Sequence, residues 1–157
     1  MPTRHSKSDL VDELIREFRA STNQDLAFEN LAADRLGINH TDLHCLNIIE
    51  NSGGLSAGKL AAQSGLTAGA VTGVIDRLER AGLACRVSDP SDRRRVNVKV
   101  TPAFYRRAEP IWGPLAADWH TMLAGRFTTQ ELRLIANFAR AINEIGSRQL
   151  DRLRKLV

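Results

Sequence analysis

Apolar residues recur at helical spacing along most of the chain. The first stripe starts near Leu10, shortly after Ser8 as a predicted N-cap, and continues to Leu36. Gly37 then ends it, so the pattern predicts one long first helix. Later stripes predict five more helices, which start near Thr41, Ser56, Thr67, Thr101 and Thr128.

The last third of the chain predicts two long helices. Pro110 and Pro114 lie inside the first of them, and each removes a backbone donor and crowds the preceding turn. We therefore expect a kink or a break at these prolines. The final helix starts at a capping box, in which Glu131 follows Thr128 by three residues.

The spacing of apolar residues changes from 3.6 to 2 after Gly82. Residues 83–88 are typical of a strand, and residues 96–100 alternate valine with polar side chains, which predicts a second strand with one buried face. Residues 89–92 have turn chemistry, so the two strands form a predicted hairpin. Three consecutive basic residues follow this turn: Arg93, Arg94 and Arg95.

A short segment between the third and fourth helices carries the most information. Ala61 is small enough for two helices to cross closely, and Gly65, four residues later, permits a sharp turn. Leu66 can pack beneath the helix pair. This spacing is typical of a helix-turn-helix, although a helical hairpin in an all-α bundle can share it. The hairpin directly after the fourth helix favours a winged helix, whose wing contacts DNA beside the groove that the helix occupies.

Length and composition narrow the classes of protein that fit this pattern. The chain has 157 residues, of which 43% are hydrophobic and 5% aromatic, so we expect one compact subunit with an aliphatic core. Cys45 and Cys85 are too few for a disulfide-rich scaffold or a four-thiolate zinc finger. We find no apolar run of about 18 residues and no signal-peptide pattern, so we expect a soluble cytoplasmic protein.

The middle and last thirds of the sequence each carry a net charge of +4, but the only dense basic cluster, Arg93-Arg94-Arg95, lies in the middle third. Residues 53–100 hold eight Lys and Arg against four Asp and Glu, whereas residues 1–52 hold five against nine. A local excess of positive charge is typical of proteins that bind a polyanion, and here it coincides with the predicted hairpin.

Residues 55–101 resemble the MarR (multiple antibiotic resistance regulator) family of bacterial transcription factors. The matching residues are Leu60-Ala61, Gly65-Leu66-Thr67, Val71-Thr72, Ile75-Asp76-Arg77-Leu78-Glu79, Ala81-Gly82-Leu83, Asp89-Pro90-Ser91-Asp92-Arg93-Arg94-Arg95 and Val98-Lys99-Val100-Thr101. The flanking helices also fit, so the resemblance covers nearly the whole chain.

The resemblance implies a mainly α fold with a small β-hairpin. Within a single subunit of residues 1–157, residues 41–100 would form a winged helix-turn-helix lobe, and residues 8–37 and 101–157 a helical dimerisation region. It further implies a homodimer that binds a palindromic double-stranded DNA operator. We expect a ligand-responsive repressor that needs no cofactor.

The fourth predicted helix has two contrasting faces. Its apolar face must be buried and consists of Val71, Val74, Ile75 and Leu78. The outward side carries few long side chains near its start, and its glycines would let the backbone approach a groove floor closely. Threonines there can hydrogen-bond base edges or phosphates. The predicted DNA contacts in this region are Ser56, Lys59, Thr67, Ala68, Gly69, Ala70, Thr72, Gly73 and Arg77.

Two of these residues are basic. Lys59 and Arg77 are candidate phosphate contacts. Arg77 has an alternative, which is a surface ion pair with Asp76 or Glu79.

The wing supplies the remaining predicted contacts. The resemblance implies that Asp92 orients the loop and that an arginine enters the minor groove, where A·T-rich sequences concentrate negative potential. We assign Arg94 to that role, with Arg93 and Arg95 as competitors. Arg95 has the further alternative of a solvated or internally paired side chain.

The fifth helix holds a candidate effector pocket. Trp112 and Trp119 stand seven residues apart and would line a small-molecule pocket or, alternatively, belong to a dimer core. Arg106 and Arg107 would add a basic surface that favours an anion. We therefore expect a small aromatic or anionic effector.

Two other sensing chemistries are weaker alternatives. His40 and His44 stand at i and i+4 and could share a zinc ion with a third ligand from elsewhere, but polar groups at a helix start explain them as well. Cys45 and Cys85 could sense oxidants, but free cysteines are often simply buried. We predict no metal site.

Functions of other classes fit the sequence less well. The chain carries no catalytic triad order, zinc-protease motif, Gly-rich phosphate loop or paired-carboxylate motif, so we do not expect an enzyme. A winged helix that binds only proteins is a closer rival, since the fold also serves as an interaction module. The arginines of the wing argue against that rival.

Overall fold

The computed structural model describes residues 6–88 and 96–156 of the chain. This part of the chain forms six α-helices and three short strands. In chain order they are α1 (Lys7–Leu36), α2 (His40–Asn51), β1 (Leu55–Ser56), α3 (Ala57–Ser64), α4 (Ala68–Arg80), β2 (Ala84–Ser88), β3 (Val96–Val100), α5 (Pro102–Arg126) and α6 (Thr129–Arg154). The predicted mainly α fold with a small β-hairpin is confirmed.

Helix α1 begins at Lys7, so its N-cap lies two residues before the predicted cap at Ser8. Ser6, and not Ser8, is the N-cap, because its hydroxyl accepts the backbone N–H of Asp9 while the Asp9 carboxylate accepts the N–H of Ser6. This reciprocal pair requires an acidic residue three positions after the cap, which Ser8 lacks. The bond from the Ser6 backbone lowers the pKa of Asp9. The capping box predicted at Thr128 and Glu131 is confirmed.

The sheet contains a strand that the sequence pattern did not predict. Its order is β1-β3-β2, with antiparallel pairing throughout. Strand β1 has two residues, and Leu55 pairs with Val98 of β3. Two residues are too few to show a period-2 pattern, so the pairing partner alone defines this strand.

Helix α5 continues through both of its prolines, so the predicted break does not occur within it. Pro110 and Pro114 are exposed. Water can therefore satisfy the carbonyls that lose their helical N–H partners at these positions.

The chain divides into two compact units, Met1–Ile111 and Trp112–Val157. The first unit holds the buried core, which α1 to α4, the sheet and the start of α5 supply. Its largest fully buried apolar side chains are Leu36, Leu43, Leu46, Ile49, Leu60, Val71, Val74, Ile75, Leu78, Leu83 and Val98. Among the described residues of the second unit, by contrast, none is fully buried. No helix in residues 6–88 or 96–156 combines the length and the apolar character that crossing a bilayer requires.

Candidate nucleic-acid interface

Helices α3 and α4 form the predicted helix-turn-helix. Ser56 caps α3 by accepting the backbone N–H of Lys59, and Gly65 ends the helix in the left-handed conformation, with φ of 73°. An L side chain rarely adopts that φ, so glycine makes the sharp turn possible. Half-buried Leu66 fills the turn, and Thr67 caps α4 by accepting the N–H of Ala70 at 3.2 Å. Lys59 is exposed in the first turn of α3.

Helix α4 has the two faces that its sequence predicts. Its apolar residues are at most 1% exposed and pack into the core: Val71, Val74, Ile75 and Leu78. The outward side consists of Gly69, Thr72, Asp76 and Arg80, which are exposed, and Gly73, which is half-buried. The core therefore holds the helix through its apolar face, and the opposite face is exposed.

The exposed start of α4 carries small side chains. Ala68, Gly69 and Ala70 are all exposed, and a Cβ added at Gly69 would have nothing within 4 Å. The Thr72 hydroxyl donates to the carbonyl of Ala68 at 3.1 Å, which leaves its oxygen able to accept from a partner. The backbone N–H groups of Ala68 and Gly69 lie at this helix N-terminus, where anions are favoured, whereas that of Ala70 donates to the Thr67 cap.

Arg77 forms a bidentate ion pair with Asp42 of α2. Its Nε lies 2.9 Å from Asp42 Oδ2, and its Nη2 lies 2.6 Å from Asp42 Oδ1. Asp42 is 1% exposed, and its hydrogen bonds raise the pKa of Arg77. The predicted alternative partners, Asp76 and Glu79, do not bind Arg77, because both are engaged elsewhere.

Arg86 of β2 engages those two carboxylates. Its Nη2 donates to Asp76 Oδ1 at 2.8 Å, and its Nη1 donates to Glu79. The backbone N–H of Arg86 also donates to Glu79, at 2.8 Å. The pKa of Arg86 is raised, and its hydrogen bond to Asp76 is the largest cause. Sequence reasoning missed this residue. The available signal was one arginine in a strand that follows a helix with two acidic residues one turn apart.

The base of the wing is an antiparallel ladder between β2 and β3. The pairs run from Ala84 opposite Val100 to Ser88 opposite Val96. The residues that the sequence assigns to the wing tip, Asp92, Arg93, Arg94 and Arg95, lie outside the described residues. Their roles stay predictions.

The candidate effector residues differ in exposure. Trp112 is half-buried and Trp119 is 52% exposed. Arg107 is engaged by protein groups, since it donates to the backbone carbonyls of Ala81 and Leu36. It is therefore less suited to an anion than its sequence position indicates, whereas Arg106 is exposed.

The metal and redox alternatives gain no support. Within residues 6–88 and 96–156, no three His, Cys, Asp or Glu side chains lie close enough together to hold a metal ion. His44 is exposed and His40 half-buried. Cys45 is fully buried, and burial raises the pKa of its thiol, which disfavours the reactive thiolate.

Comparisons with known proteins agree with this geometry. The MarR family model matches residues 38–96. The chain is 36% identical over 156 residues to the uncharacterized HTH-type transcriptional regulator YcgE of Bacillus subtilis strain 168. The aligned region covers 99% of this chain and 100% of YcgE. It is 30% identical over 119 residues to the HTH-type transcriptional repressor Mb2911 of Mycobacterium bovis, which is 74% of this chain and 81% of that protein.

A solved structure shares the fold. A crystal structure of a mutant MarR from E. coli, complexed with operator DNA, superposes with a TM-score of 0.52 at 21% identity. The match covers 88% of this chain and 99% of that one. Together with the helix-turn-helix, the two faces of α4 and the wing ladder, these relationships show that the chain belongs to the MarR family of helix-turn-helix transcriptional regulators.

Proposed function

We propose that the chain is a sequence-specific DNA-binding repressor, in which α4 enters the major groove of a double-stranded operator. The observation that carries this proposal is the exposed first half of α4, where small residues stand on a helix that the core holds from behind. A major groove admits an α-helix, and a face without long side chains lets the backbone come close to base edges. The repressor role is supported by the name of the Mycobacterium bovis relative.

The proposed contacts fall into two groups. Base edges and nearby phosphates are contacted from α3 and α4, while the wing arginines enter the adjacent minor groove. The contact residues of the first group are Ser56, Lys59, Thr67, Ala68, Gly69, Ala70, Thr72 and Gly73. Those of the second are Asp92, Arg93, Arg94 and Arg95.

The protein acts as a homodimer in this proposal. Residues 41–100 are the DNA-binding lobe, and residues 8–37 and 101–157 supply the dimer interface. Apolar side chains left exposed on α1 and α6 support this assignment: Leu10, Val11, Leu14, Ile15, Leu134, Ile145, Leu150 and Leu153. Two-fold symmetry then requires a palindromic operator with half-sites about 10 base pairs apart.

A small aromatic or anionic effector would release the operator. Trp112 and Trp119 supply partly exposed aromatic surface for it. Such a ligand acts through its different affinities for the DNA-bound and the released conformation. We place this regulator in the cytoplasm, where its DNA lies, and propose no enzymatic activity for it.

The test is fluorescence anisotropy with fragments from the region upstream of its own gene and with scrambled DNA of the same length. We expect the wild-type protein to prefer one palindromic fragment by at least 1,000-fold, the lower end for specific regulators, with a steep loss of affinity at higher salt. Equal binding to both fragments would contradict sequence specificity. Salt-insensitive or absent binding would favour the protein-interaction module instead.

A further inference from the structure

The ion pair between Asp42 and Arg77 joins two helices of the DNA-binding lobe. Asp42 lies in the first turn of α2, where its own N–H donates to the N-cap residue Asn39 at 2.8 Å. Arg77 lies in the last turn of α4. A carboxylate near a helix N-terminus and a cation near a helix C-terminus are each favoured by the helix dipoles. The pair therefore sits at the two helix ends that suit its charges.

The geometry of this pair constrains the orientation of α4 about its axis. A guanidinium that presents Nε and Nη2 to both oxygens of one carboxylate is fixed in plane as well as in distance. The Arg77 side chain also lies next to the outward face. It follows Gly73 of that face by one helical turn, and a Cβ at Gly73 would lie 3.4 Å from Arg77 Nη1. Rotation of α4 about its axis would therefore break the pair and, at the same time, displace the outward face.

The burial of Asp42 favours its ion pair with Arg77 over a contact between Arg77 and a phosphate. The Arg77 side chain is 43% exposed, but the Asp42 side chain is 2% exposed. If Arg77 turned to DNA, Asp42 would be left as a buried carboxylate without its cation, which is strongly unfavourable.

We propose that Asp42 is a positioning residue for sequence readout: through Arg77 it fixes the orientation in which α4 presents its outward face, and Arg77 contacts no phosphate. This inference rests on the proposed function, because it concerns the discrimination of an operator from other DNA. It changes the role of Arg77 from the predicted phosphate contact to a part of the support of α4.

The test measures specific affinity, non-specific affinity and salt slope for the variants D42N, R77Q and the double variant. Non-specific binding depends mainly on cationic phosphate contacts, which the proposal places on Lys59 and the wing arginines rather than on α4, so a misplaced α4 should largely spare it. We expect each single variant to lose about tenfold or more in operator affinity, with non-specific affinity and salt slope unchanged. The double variant should lose no more than the worse single variant, because one interaction is removed in all three.

Two further variants serve as controls. Glu50 is a second carboxylate of α2, in the last turn of that helix and outside the predicted DNA contacts, so E50Q should keep the ratio of specific to non-specific affinity. R77K keeps the charge but lacks the fork, so it should lose part of that ratio even if R77Q folds poorly. Circular dichroism confirms that each variant is folded.

Three outcomes would overturn the inference. A salt slope reduced by about one in R77Q, with D42N unaffected, would make Arg77 a phosphate contact. Equal losses of specific and non-specific affinity would make the pair a support for folding alone. A wild-type protein without sequence preference would overturn the proposed function and this inference with it, and the wild-type measurement identifies that case separately.

Discussion

Gly69 stands in the first turn of α4 without a packing reason among the described residues. A Cβ there would meet open space, and its backbone is not in the left-handed region. Glycine costs helix stability relative to alanine, so its presence here fits a surface that a partner approaches closely.

We therefore expect G69A to stabilise the protein and to weaken operator binding. The gain in the free energy of unfolding should be about 0.5 kcal/mol, at the low end for a helix because Gly69 lies in the first turn. Operator affinity should fall at least fivefold, since the methyl group holds the backbone away from the groove floor. Urea denaturation and anisotropy measure the two effects. Unchanged affinity in the stabilised variant would contradict a close approach at this residue.

The two cysteines should differ sharply in reactivity. Burial raises the pKa of Cys45, so at pH 8 its thiolate is scarcer than that of an ordinary thiol and is also shielded from reagents. Cys85 is half-buried in β2. We expect iodoacetamide to label Cys85 at least ten times faster than Cys45, as followed by peptide mass spectrometry. Rapid labelling of Cys45 in the folded protein would revive the redox alternative.

Residue-level prediction was correct for most helix caps, whose interacting groups are close in sequence, although it placed the α1 cap at Ser8 rather than Ser6. The caps at Thr67 and Thr128 bond to groups three residues away, so a short window of sequence contains both partners. Asp42 and Arg77 are 35 residues apart, and helical spacing offered only Asp76 and Glu79 as neighbours. The pairing depends on how α2 packs against α4, which local pattern does not encode.

At the scale of elements, the amphipathic helices were predicted well because their stripes are long. The faces of α4 follow from four apolar residues in two turns. Strand β1 escaped prediction because two residues carry no period, and α5 runs through its prolines because solvent can reach the affected carbonyls. The site itself depends on packing between elements, and Arg86 is the clearest example.

The link from β2 to α4 yields an element-level prediction. R86A removes the side-chain bonds to Asp76 and Glu79 and keeps only the backbone bond to Glu79, so the wing ladder should lose most of its anchor on α4. The Arg86 side chain is 37% exposed, and exposed pairs contribute modestly, so the free energy of unfolding should fall by about 1 kcal/mol. Operator affinity should fall about tenfold as the wing loses its fixed position. Urea denaturation and anisotropy test both effects.

The control for this variant is R80A, which removes an arginine from the same surface but breaks only a bond to the backbone carbonyl of Asp76. R80A should change stability by less than about 0.5 kcal/mol, as is usual for surface substitutions. If R86A and R80A lower the free energy of unfolding equally, Arg86 does not anchor the wing.

At the scale of the whole molecule, apolar surface and charge are unevenly distributed. The acidic first third contains α1, whose large apolar residues from Leu10 to Ile15 are 46–50% exposed. The second compact unit likewise leaves most of its large apolar side chains open. Monomeric proteins seldom expose extended apolar patches of this kind, so we infer that a binding partner covers these surfaces.

The last prediction concerns that partner, which we take to be a second copy of the chain. Light scattering at micromolar concentration should give twice the chain mass of 17.4 kDa. L14E places a charge in the apolar stripe of α1 and should raise the dimer dissociation constant at least tenfold, because an unpaired charge is costly in an apolar interface. R16Q changes the net charge equally but lies about 200° around the helix from Leu14, so it should remain dimeric. A monomeric wild type would contradict the dimer, and a fully dimeric L14E would remove α1 from its interface.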